Sequence, residues 1–205
     1  MDSKKEKIKT IATIMFAAKG IRNTTIRDIA SSLNIALGGI YYYYKSKEHL
    51  LQEIIEDSIN NRQVFLENIE NLDISFENKL KLMLERRLNL KKERYHLFLF
   101  AKIFENGESN MAFDEYFKRD QFFEKILLAN LDKISPQYHK DIIKIGRFQS
   151  AAFTKLLLML IEDTGILVTD VESYEKMVDA FNENIDIKKE VELFFNISFK
   201  PLLKN

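Results

Sequence analysis

A short segment near the N-terminus combines aromatic and glycine residues in a spacing that suits contact with DNA. Residues 37–44 read Leu-Gly-Gly-Ile-Tyr-Tyr-Tyr-Tyr. In a helix, Ile40 and Tyr44 share one face, while Leu37 and Tyr41 share a different one. We expect Ile40 and Tyr44 to close a small core. Leu37 and Tyr41 then remain to enter a major groove of DNA.

The two glycines of this segment need an explanation of their own. Gly38 and Gly39 each cost about 1 kcal/mol in helix propensity relative to alanine. A close approach of the helix backbone to DNA would compensate for this cost.

The elements around this segment follow from capping and periodicity. A capping box at Ser3–Glu6 and a stop at Gly20 predict a first helix over about 4–19. A second capping box at Thr25–Asp28 opens a short helix, and Asn34 suits a left-handed turn. A third helix is then expected from Leu37 to Tyr43 or Tyr44. Two short helices across a tight turn form a helix-turn-helix.

The rest of the chain also has helical periodicity, with no strand-like alternation or internal repeat. The pattern predicts a long helix over about 47–71. Further helices are expected near 76–93, 95–105, 112–132, 136–163, 172–183 and 187–203.

Composition limits the class of protein. The 205 residues include six Gly, two Pro and no Cys, and 46% of them are hydrophobic. This composition favours long helices, and the lack of cysteine fits the reducing cytosol. The longest apolar run, Leu156–Ile161, has six residues, against the ~20 that a membrane span needs. We therefore expect a cytoplasmic protein with no membrane partner.

The charge is unevenly divided along the chain, although the formal net charge is zero. Residues 1–47 contain nine Lys or Arg and three Asp or Glu, whereas residues 48–205 contain twenty-two and twenty-eight. A basic N-terminal segment on an acidic body is typical of a DNA-facing module.

Three consecutive stretches carry a resemblance to a known family. They are Phe16-Ala-Ala-Lys-Gly20, Thr24-Thr-Ile-Arg-Asp-Ile-Ala30 and the ungapped run from Ile35 to Leu50. Together they resemble the N-terminal domain of TetR-family transcriptional regulators. The resemblance implies an all-α fold. It places an N-terminal three-helix helix-turn-helix domain over 1–46 and a C-terminal helical ligand-binding and dimerisation domain over 47–205.

The resemblance also assigns DNA contacts by position. Contacts to phosphates are carried over to Thr25, Tyr41, Tyr43 and Lys47, and charge alone adds Arg27, Lys45 and either Lys4 or Lys5. Readout of bases is left to Leu37, Gly38, Gly39, Tyr41 and Tyr42. Since few of these side chains form hydrogen bonds, we hypothesise an A·T-rich operator that is read through thymine methyl groups and DNA shape.

Two positions depart from the family pattern. Ala36 stands where a Ser or Thr often caps the recognition helix, and Asn34 replaces the usual turn glycine. Loss of the cap costs about 1 kcal/mol.

The C-terminal part contains fifteen of the sixteen phenylalanines. This content is compatible with an ordinary core, but the resemblance implies an effector pocket within the body. The polar candidates are His96, Arg147, Gln149 and Thr154, and Arg147 beside Phe148 would suit an anionic or aromatic effector. The apolar candidates are Phe65, Ile69, Leu84, Leu88, Phe100, Phe104, Phe117, Phe122, Phe148 and Phe153.

Two late helical stretches are candidates for self-association. The stretches 142–161 and 187–203 include Gly146 and Ser150, small residues that would let partner helices approach. The resemblance implies a homodimer built by a four-helix bundle.

The expected function is that of a ligand-responsive transcriptional regulator. It would be a repressor that binds double-stranded operator DNA as a homodimer and is released by a small, largely apolar or aromatic effector. An enzyme is not expected, because His49, His96 and His139 are more than forty residues apart and no metal or cofactor motif is present. The alternative is an architectural helical adaptor that binds neither DNA nor ligand.

Overall fold

The computed structural model of the protein describes residues 3–89, 99 and 121–204, and most of these residues are helical. The all-α prediction is confirmed for this part of the chain, whose β-structure is limited to an isolated antiparallel bridge between Ile134 and Leu203. The described helices are α1 (Ser3–Lys19), α2 (Ile26–Ser32), α3 (Leu37–Tyr41), α4 (Lys47–Glu70), α5 (Phe76–Leu88), α6 (Phe122–Ala129), α7 (Ile142–Glu162), α8 (Val171–Asn184) and α9 (Ile187–Ser198).

The N-terminal helices form a compact three-helix unit, in which α2 packs on both α1 and α3. Phe16 of α1, Ile29 of α2 and Ile40 of α3 are all buried. Gly20 ends α1 with a φ of 85°, a backbone conformation that costs glycine nothing. Buried Thr24 donates from its hydroxyl to the carbonyls of Met15 and Gly20, which ties the following loop to α1.

Helix α4 connects this unit to the body. It is 24 residues long, or about 36 Å at the helical rise. Ser46 caps its N-terminus by accepting a hydrogen bond from the His49 N–H at 3.1 Å. Helix α4 packs on α1 at one end and on α6 further along, so it contacts both parts of the chain.

The body is built from helices that cross one another. Helix α7 packs on α6, α9 packs on α5, and α8 contacts both α7 and α1. Phe123, Phe153, Phe194 and Phe199 pack in a chain of ring contacts, with neighbouring centroids 5.0 to 6.5 Å apart. Such tilted and T-shaped pairs are the favourable geometry for aromatic side chains.

The C-terminal residues return to the loop between α6 and α7. Ser135 N–H donates to Leu202 O at 2.9 Å, and Lys204 N–H donates to Lys133 O at 3.0 Å. These hydrogen bonds close the body at one end.

Five predicted helix ranges differ from the structure within its described residues. The helix expected over 76–93 ends at Leu88, and the described part of the range 112–132 is α-helical only from Phe122 to Ala129. The helix expected over 95–105 lies, apart from Leu99, outside the described residues. The third helix ends at Tyr41 rather than Tyr43 or Tyr44, because the backbone tightens to an i, i+3 hydrogen bond from Tyr43 N–H to Ile40 O. The range 136–163 divides into a 3₁₀ helix, Pro136–Asp141, and then α7. The last helix stops at Ser198 and is followed by the 3₁₀ helix Lys200–Leu202, since Pro201 has no N–H to continue the α-helical hydrogen bonds of α9.

Gly146 does not have the role that its size suggested. A Cβ at this position would lie 2.9 Å from both the Cγ and the backbone nitrogen of Glu124 on α6. The expectation that Gly146 admits a helix of a partner subunit is therefore wrong, because α6 of the same chain already occupies that space.

Within the described ranges, no helix is both long and apolar enough to cross a membrane.

Candidate nucleic-acid interface

Helix α2 begins with the predicted capping box. The Thr25 hydroxyl accepts from Asp28 N–H at 3.1 Å, and the Asp28 carboxylate accepts from Thr25 N–H at 2.8 Å. Hydrogen bonds from the Thr25 hydroxyl and backbone hold the pKa of Asp28 below its ordinary value. Thr25 and Arg27 are exposed, so both predicted phosphate contacts lie at the surface at the start of α2.

The turn between α2 and α3 has the predicted conformation. Asn34 has a φ of 51°, in the left-handed region that asparagine tolerates better than most residues. Ala36 occupies the N-cap of α3 in an extended conformation and makes no side-chain cap hydrogen bond. The expected loss of the recognition-helix cap is confirmed.

Helix α3 presents one buried face and one exposed face. Ile40 and Tyr44 are fully buried, as predicted. Tyr41 is 49% exposed and Tyr42 is 82% exposed. Leu37 is half-buried against the core. Removing apolar surface from water is favourable, so a partner that covered the exposed rings of Tyr41 and Tyr42 would gain binding energy.

Tyr43 occupies an intermediate position. It is half-buried, and its ring forms a T-shaped pair with Tyr42, with centroids 4.9 Å apart. The Tyr43 ring thereby packs against the ring of the more exposed Tyr42.

The two glycines of α3 have free space beside them. A Cβ at Gly38 would meet nothing within 4 Å, and one at Gly39 would make only ordinary contacts with Ile35 and the Lys4 ammonium. No packing within the described residues therefore requires glycine at either position.

The two lysines that follow α3 differ in their surroundings. Lys45 is exposed. The Lys47 ammonium donates to the carbonyl oxygens of Ile21 at 2.7 Å and Thr24 at 3.0 Å. Lys47 thus joins the start of α4 to the loop between α1 and α2, a structural role that sequence reasoning missed because the acceptors are main-chain atoms more than twenty residues away.

This arrangement of α2, the left-handed turn at Asn34 and α3 defines a helix-turn-helix protein. Comparison with known proteins agrees. Residues 10–54 match the family model described as "Bacterial regulatory proteins, tetR family". The HTH-type transcriptional repressor KstR2 of Mycolicibacterium smegmatis is 38% identical over 58 residues. These residues are 28% of this chain and 28% of the repressor, so the match spans just over a quarter of that relative's length.

Other similarities extend along the whole chain. The icaADBC negative transcriptional regulator IcaR of Staphylococcus aureus (strain Newman) is 21% identical over 202 residues, which cover 96% of this chain and 99% of IcaR. The solved structure of a gamma-butyrolactone receptor, an ArpA-like protein, superposes with a TM-score of 0.64 at 15% identity and covers 92% of this chain and 97% of that one. Residues 10–54 are therefore similar to the tetR family of bacterial regulatory proteins, and the rest of the chain shares the fold of these relatives.

The candidate pocket residues of the body fall into three groups. Ile69, Leu84, Leu88 and Phe153 are buried, and Phe65 is half-buried beneath the Arg86 guanidinium, 4.1 Å from its ring centroid. A second group, His96, Phe100, Phe104 and Phe117, lies outside the described residues, as does the side chain of Phe122. Arg147 and Phe148 form the third group.

Arg147 and Phe148 lie on the outside of α7. Phe148 is 69% exposed, and the Arg147 side chain is equally exposed, with its Nε 3.6 Å from a Glu124 carboxylate oxygen. The sequence did not show this orientation, because apolar and polar residues alternate too closely along α7 to identify its inner face. Their position argues against the predicted role of this pair in an interior pocket of one chain.

One buried cation of the body is Arg87 on α5, which sequence reasoning did not single out. Its guanidinium lies 5.7 Å from the Phe123 ring and 5.6 Å from the Phe153 ring, and it donates to the Thr154 hydroxyl at 3.5 Å. Arg87 follows Arg86 in the sequence, and only the tertiary structure distinguishes the buried residue of this pair from the half-buried one.

Proposed function

We propose that this protein is a transcriptional repressor that binds operator DNA as a homodimer and releases it when a small effector binds in the body. The observation that carries the proposal is the exposed side of α3, where Tyr41 and Tyr42 flank a backbone left open at Gly38. The basic charge of residues 1–47 supplies the attraction to phosphates.

Each side chain of the surface has a proposed task. Thr25, Arg27, Tyr43 and Lys45 contact phosphates and position the unit on the duplex. Lys47 holds the loop between α1 and α2 through two carbonyls and has one ammonium hydrogen left for a phosphate. Base edges are read by Leu37, Gly38, Gly39, Tyr41 and Tyr42.

The character of this surface favours an A·T-rich operator. Leu37 offers only apolar contact, and the glycines offer only backbone, so thymine methyl groups and groove shape are the features within reach. An operator in which guanine edges dominate the selected sequence would contradict this proposal.

Dimerisation is proposed through α7 and α9. Both helices leave apolar side chains exposed that a second copy would cover. They are Ile143, Phe148 and Met159 on α7, and Leu193 and Ile197 on α9. The placement of Phe148 on this surface accounts for its exposure in a single chain.

The effector is proposed to contact the aromatic interior of the body. Phe153, Leu84 and Leu88 are fully or almost fully buried near Arg87, and an arginine can hold a carboxylate by two parallel hydrogen bonds. We therefore infer an effector with a largely apolar body and one anionic group. The name of the gamma-butyrolactone receptor supports a small molecule as effector, and the names of KstR2 and IcaR support repression.

The proposed switch is a shift between two poses of α4. Because α4 runs from the helix-turn-helix unit into the body, an effector that prefers one pose changes the separation of the two recognition helices. Consecutive major grooves require a separation of roughly 34 to 36 Å. A pose that departs from this spacing releases the operator.

A gel-shift titration against the promoter fragment beside the protein's own gene, repeated at rising salt, tests the proposal. We expect a sequence-specific complex whose affinity falls steeply with salt, because phosphate contacts release counterions. An architectural adaptor would show no such complex with any duplex, even at low ionic strength. A stable monomer in analytical ultracentrifugation at micromolar concentration would also contradict the proposal.

A further inference from the structure

The contact between α1 and α4 contains a group of charged side chains around a buried lysine. The Lys9 ammonium pairs with Glu6 at 2.8 Å and with Asp57, and it lies 3.7 Å from Glu53. Lys5, one turn earlier, pairs with Glu53 at 2.6 Å. Lys9 as a residue is only 7% exposed. We refer to Lys5, Glu6, Lys9, Glu53 and Asp57 as the α1–α4 charge cluster.

Tyr44 connects this cluster to the end of the recognition helix. Its ring is fully buried, with the Lys5 ammonium 5.7 Å above the ring centroid and the His49 ring 5.8 Å away. Burial raises the pKa of the Tyr44 hydroxyl, and the Glu53 and Asp57 carboxylates raise it further. Side chains from α1, α4 and the segment after α3 therefore meet at one place.

Lys9 remains charged in this setting. Burial by itself lowers the pKa of an ammonium, but the hydrogen bonds to Asp57 and Glu6 outweigh this effect, and the pKa of Lys9 is raised. The Lys9 ammonium is thus charged throughout the neutral range.

The spacing of the pairs matches the two helices turn for turn. Lys5 and Lys9 are four residues apart on α1, and their partners Glu53 and Asp57 are four residues apart on α4. The hydrophobic attraction around them is non-directional. Ion pairs depend on distance and angle, and neutralising Lys9 removes the cation that Glu6 and Asp57 share.

We infer that the α1–α4 charge cluster sets the angle at which α4 carries the helix-turn-helix unit, and that Lys9 is its positioning residue. The consequence for operator spacing rests on the proposed function, because the separation of two recognition helices has meaning only in a DNA-binding dimer. The angle itself is a property of one chain and is measured without DNA.

The first experiment measures this angle as a distance within one chain. The sequence has no cysteine, so Ser31→Cys on α2 and Lys125→Cys on α6, both exposed positions outside the proposed dimer interface, allow spin labels to be attached at these two sites alone. Pulsed electron paramagnetic resonance is recorded with the labelled chain diluted in unlabelled protein. We expect a narrow distance distribution in the otherwise unchanged chain, and a distribution about twofold broader after Lys9→Met.

Two variants serve as controls for this measurement. Lys9→Arg keeps the charge and is expected to retain the narrow distribution. Lys81→Met removes ion pairs to Glu77 and Glu192 within the body and is expected to leave it unchanged. If Lys9→Met does not fold, Asp57→Asn is measured with the same expectation. An unchanged distribution in a folded Lys9 or Asp57 variant would overturn the inference.

The second experiment measures operator spacing. Two copies of a half-site selected by the wild-type protein from random duplexes are separated by the selected spacing, and then by spacings lengthened stepwise up to half a helical turn. We expect Lys9→Met to reduce the preference for the selected spacing by about tenfold, with affinity for a single half-site unchanged. A purely structural defect would instead weaken all duplexes in the same ratio.

The two experiments separate the possible failures. If the wild-type protein selects no duplex, the proposed function fails, and the distance measurement still decides whether Lys9 sets the angle. If the wild-type protein selects an operator and the folded Lys9→Met variant keeps the full spacing preference, the inference is overturned and the proposed function stands.

Discussion

At Gly38 and Gly39, helix stability would favour alanine, whereas the proposed close approach to DNA favours glycine. Each weakens α3, because glycine loses more backbone entropy than alanine on entering a helix. The structure shows no neighbour that a methyl group at Gly38 would disturb. Packing within the chain therefore explains Ile40 and Tyr44 on the buried side. It does not explain the glycine at position 38 on the exposed side.

Gly38→Ala is expected to stabilise the protein and to weaken its binding to DNA. The free energy of unfolding should rise by roughly 0.5–1 kcal/mol in chemical denaturation, because alanine favours the helix and meets no clash. Affinity for the operator, measured by fluorescence anisotropy, should fall about tenfold, since the methyl group would lie between the backbone and the base edges. Unaltered operator affinity would show that close approach at Gly38 is not used.

At the scale of the element, α2 and α3 begin differently. Thr25 and Asp28 satisfy each other's backbone N–H groups at the start of α2, whereas Ala36 leaves the start of α3 without a side-chain acceptor. Helix α2 is thus stabilised by its own N-cap, whereas α3 depends on its tertiary contacts. The position of α7 also depends on tertiary contacts, because Gly146 permits α7 to cross close to α6.

Thr25→Ala should lower the free energy of unfolding of the helix-turn-helix unit by about 1 kcal/mol through loss of the cap.

Asp28→Asn should also destabilise the helix-turn-helix unit, but in a pH-dependent way. The pKa of Asp28 is lowered in the folded protein from an ordinary value of 3.8, so its carboxylate contributes stability above that pH, and the contribution is lost as the pH falls through the folded pKa.

Urea denaturation from neutral to acidic pH measures this effect. The difference between the wild-type protein and Asp28→Asn should be present at neutral pH and shrink below about pH 4. Asp73→Asn, which removes an exposed carboxylate between α4 and α5, is the matched control and should show no such trend. A difference that stayed constant into acid would contradict the assigned role of the Asp28 charge.

Gly146→Ala should have the opposite effect to Gly38→Ala. A methyl group at position 146 would lie 2.9 Å from the Glu124 backbone nitrogen, so α6 and α7 would have to separate. Overpacking of this kind costs typically about 1–3 kcal/mol. Thermal unfolding followed by circular dichroism measures the change, and a melting temperature at or above that of the wild-type protein would contradict the close crossing.

In the whole molecule, the proposed surfaces for DNA and for a second copy lie on different elements. Helix α3 carries the exposed tyrosines, and α7 and α9 carry the exposed apolar side chains of the proposed dimer. Helix α4 contacts both α1 and α6, and therefore links the two regions. In the proposed function the DNA affinity of the molecule depends on both surfaces, because one half-site alone binds weakly.

Phe148→Glu and Ile197→Glu are expected to convert the protein to a monomer, because each places a charge in an apolar interface where it would be costly to bury. Sedimentation velocity measures the change in mass, and operator affinity should fall with it. Leu167→Glu is the matched control: Leu167 is 81% exposed but lies in the loop after α7. A dimer that persisted in both α7 and α9 variants would place the interface elsewhere.

Much of the helix-turn-helix unit could be predicted from sequence alone because it depends on local interactions. Capping at Thr25 and the left-handed turn at Asn34 arise from residues within about one helical turn of each other, and the four-residue spacing of Ile40 and Tyr44 places both on one face. Side-chain direction along a helix follows from spacing, so the exposed side of α3 was also within reach of sequence reasoning.

The tertiary structure alone decided the partners of the charged and small residues. Lys9 finds Asp57 at a sequence separation of 48, and Arg87 finds Thr154 at a separation of 67, while Arg147 and Phe148 face outward. A helical pattern identifies an apolar face, but the element that covers it is chosen by how all the helices pack together. Charged residues are ordinarily exposed, so their enclosure between helices depends on contacts that no local spacing encodes.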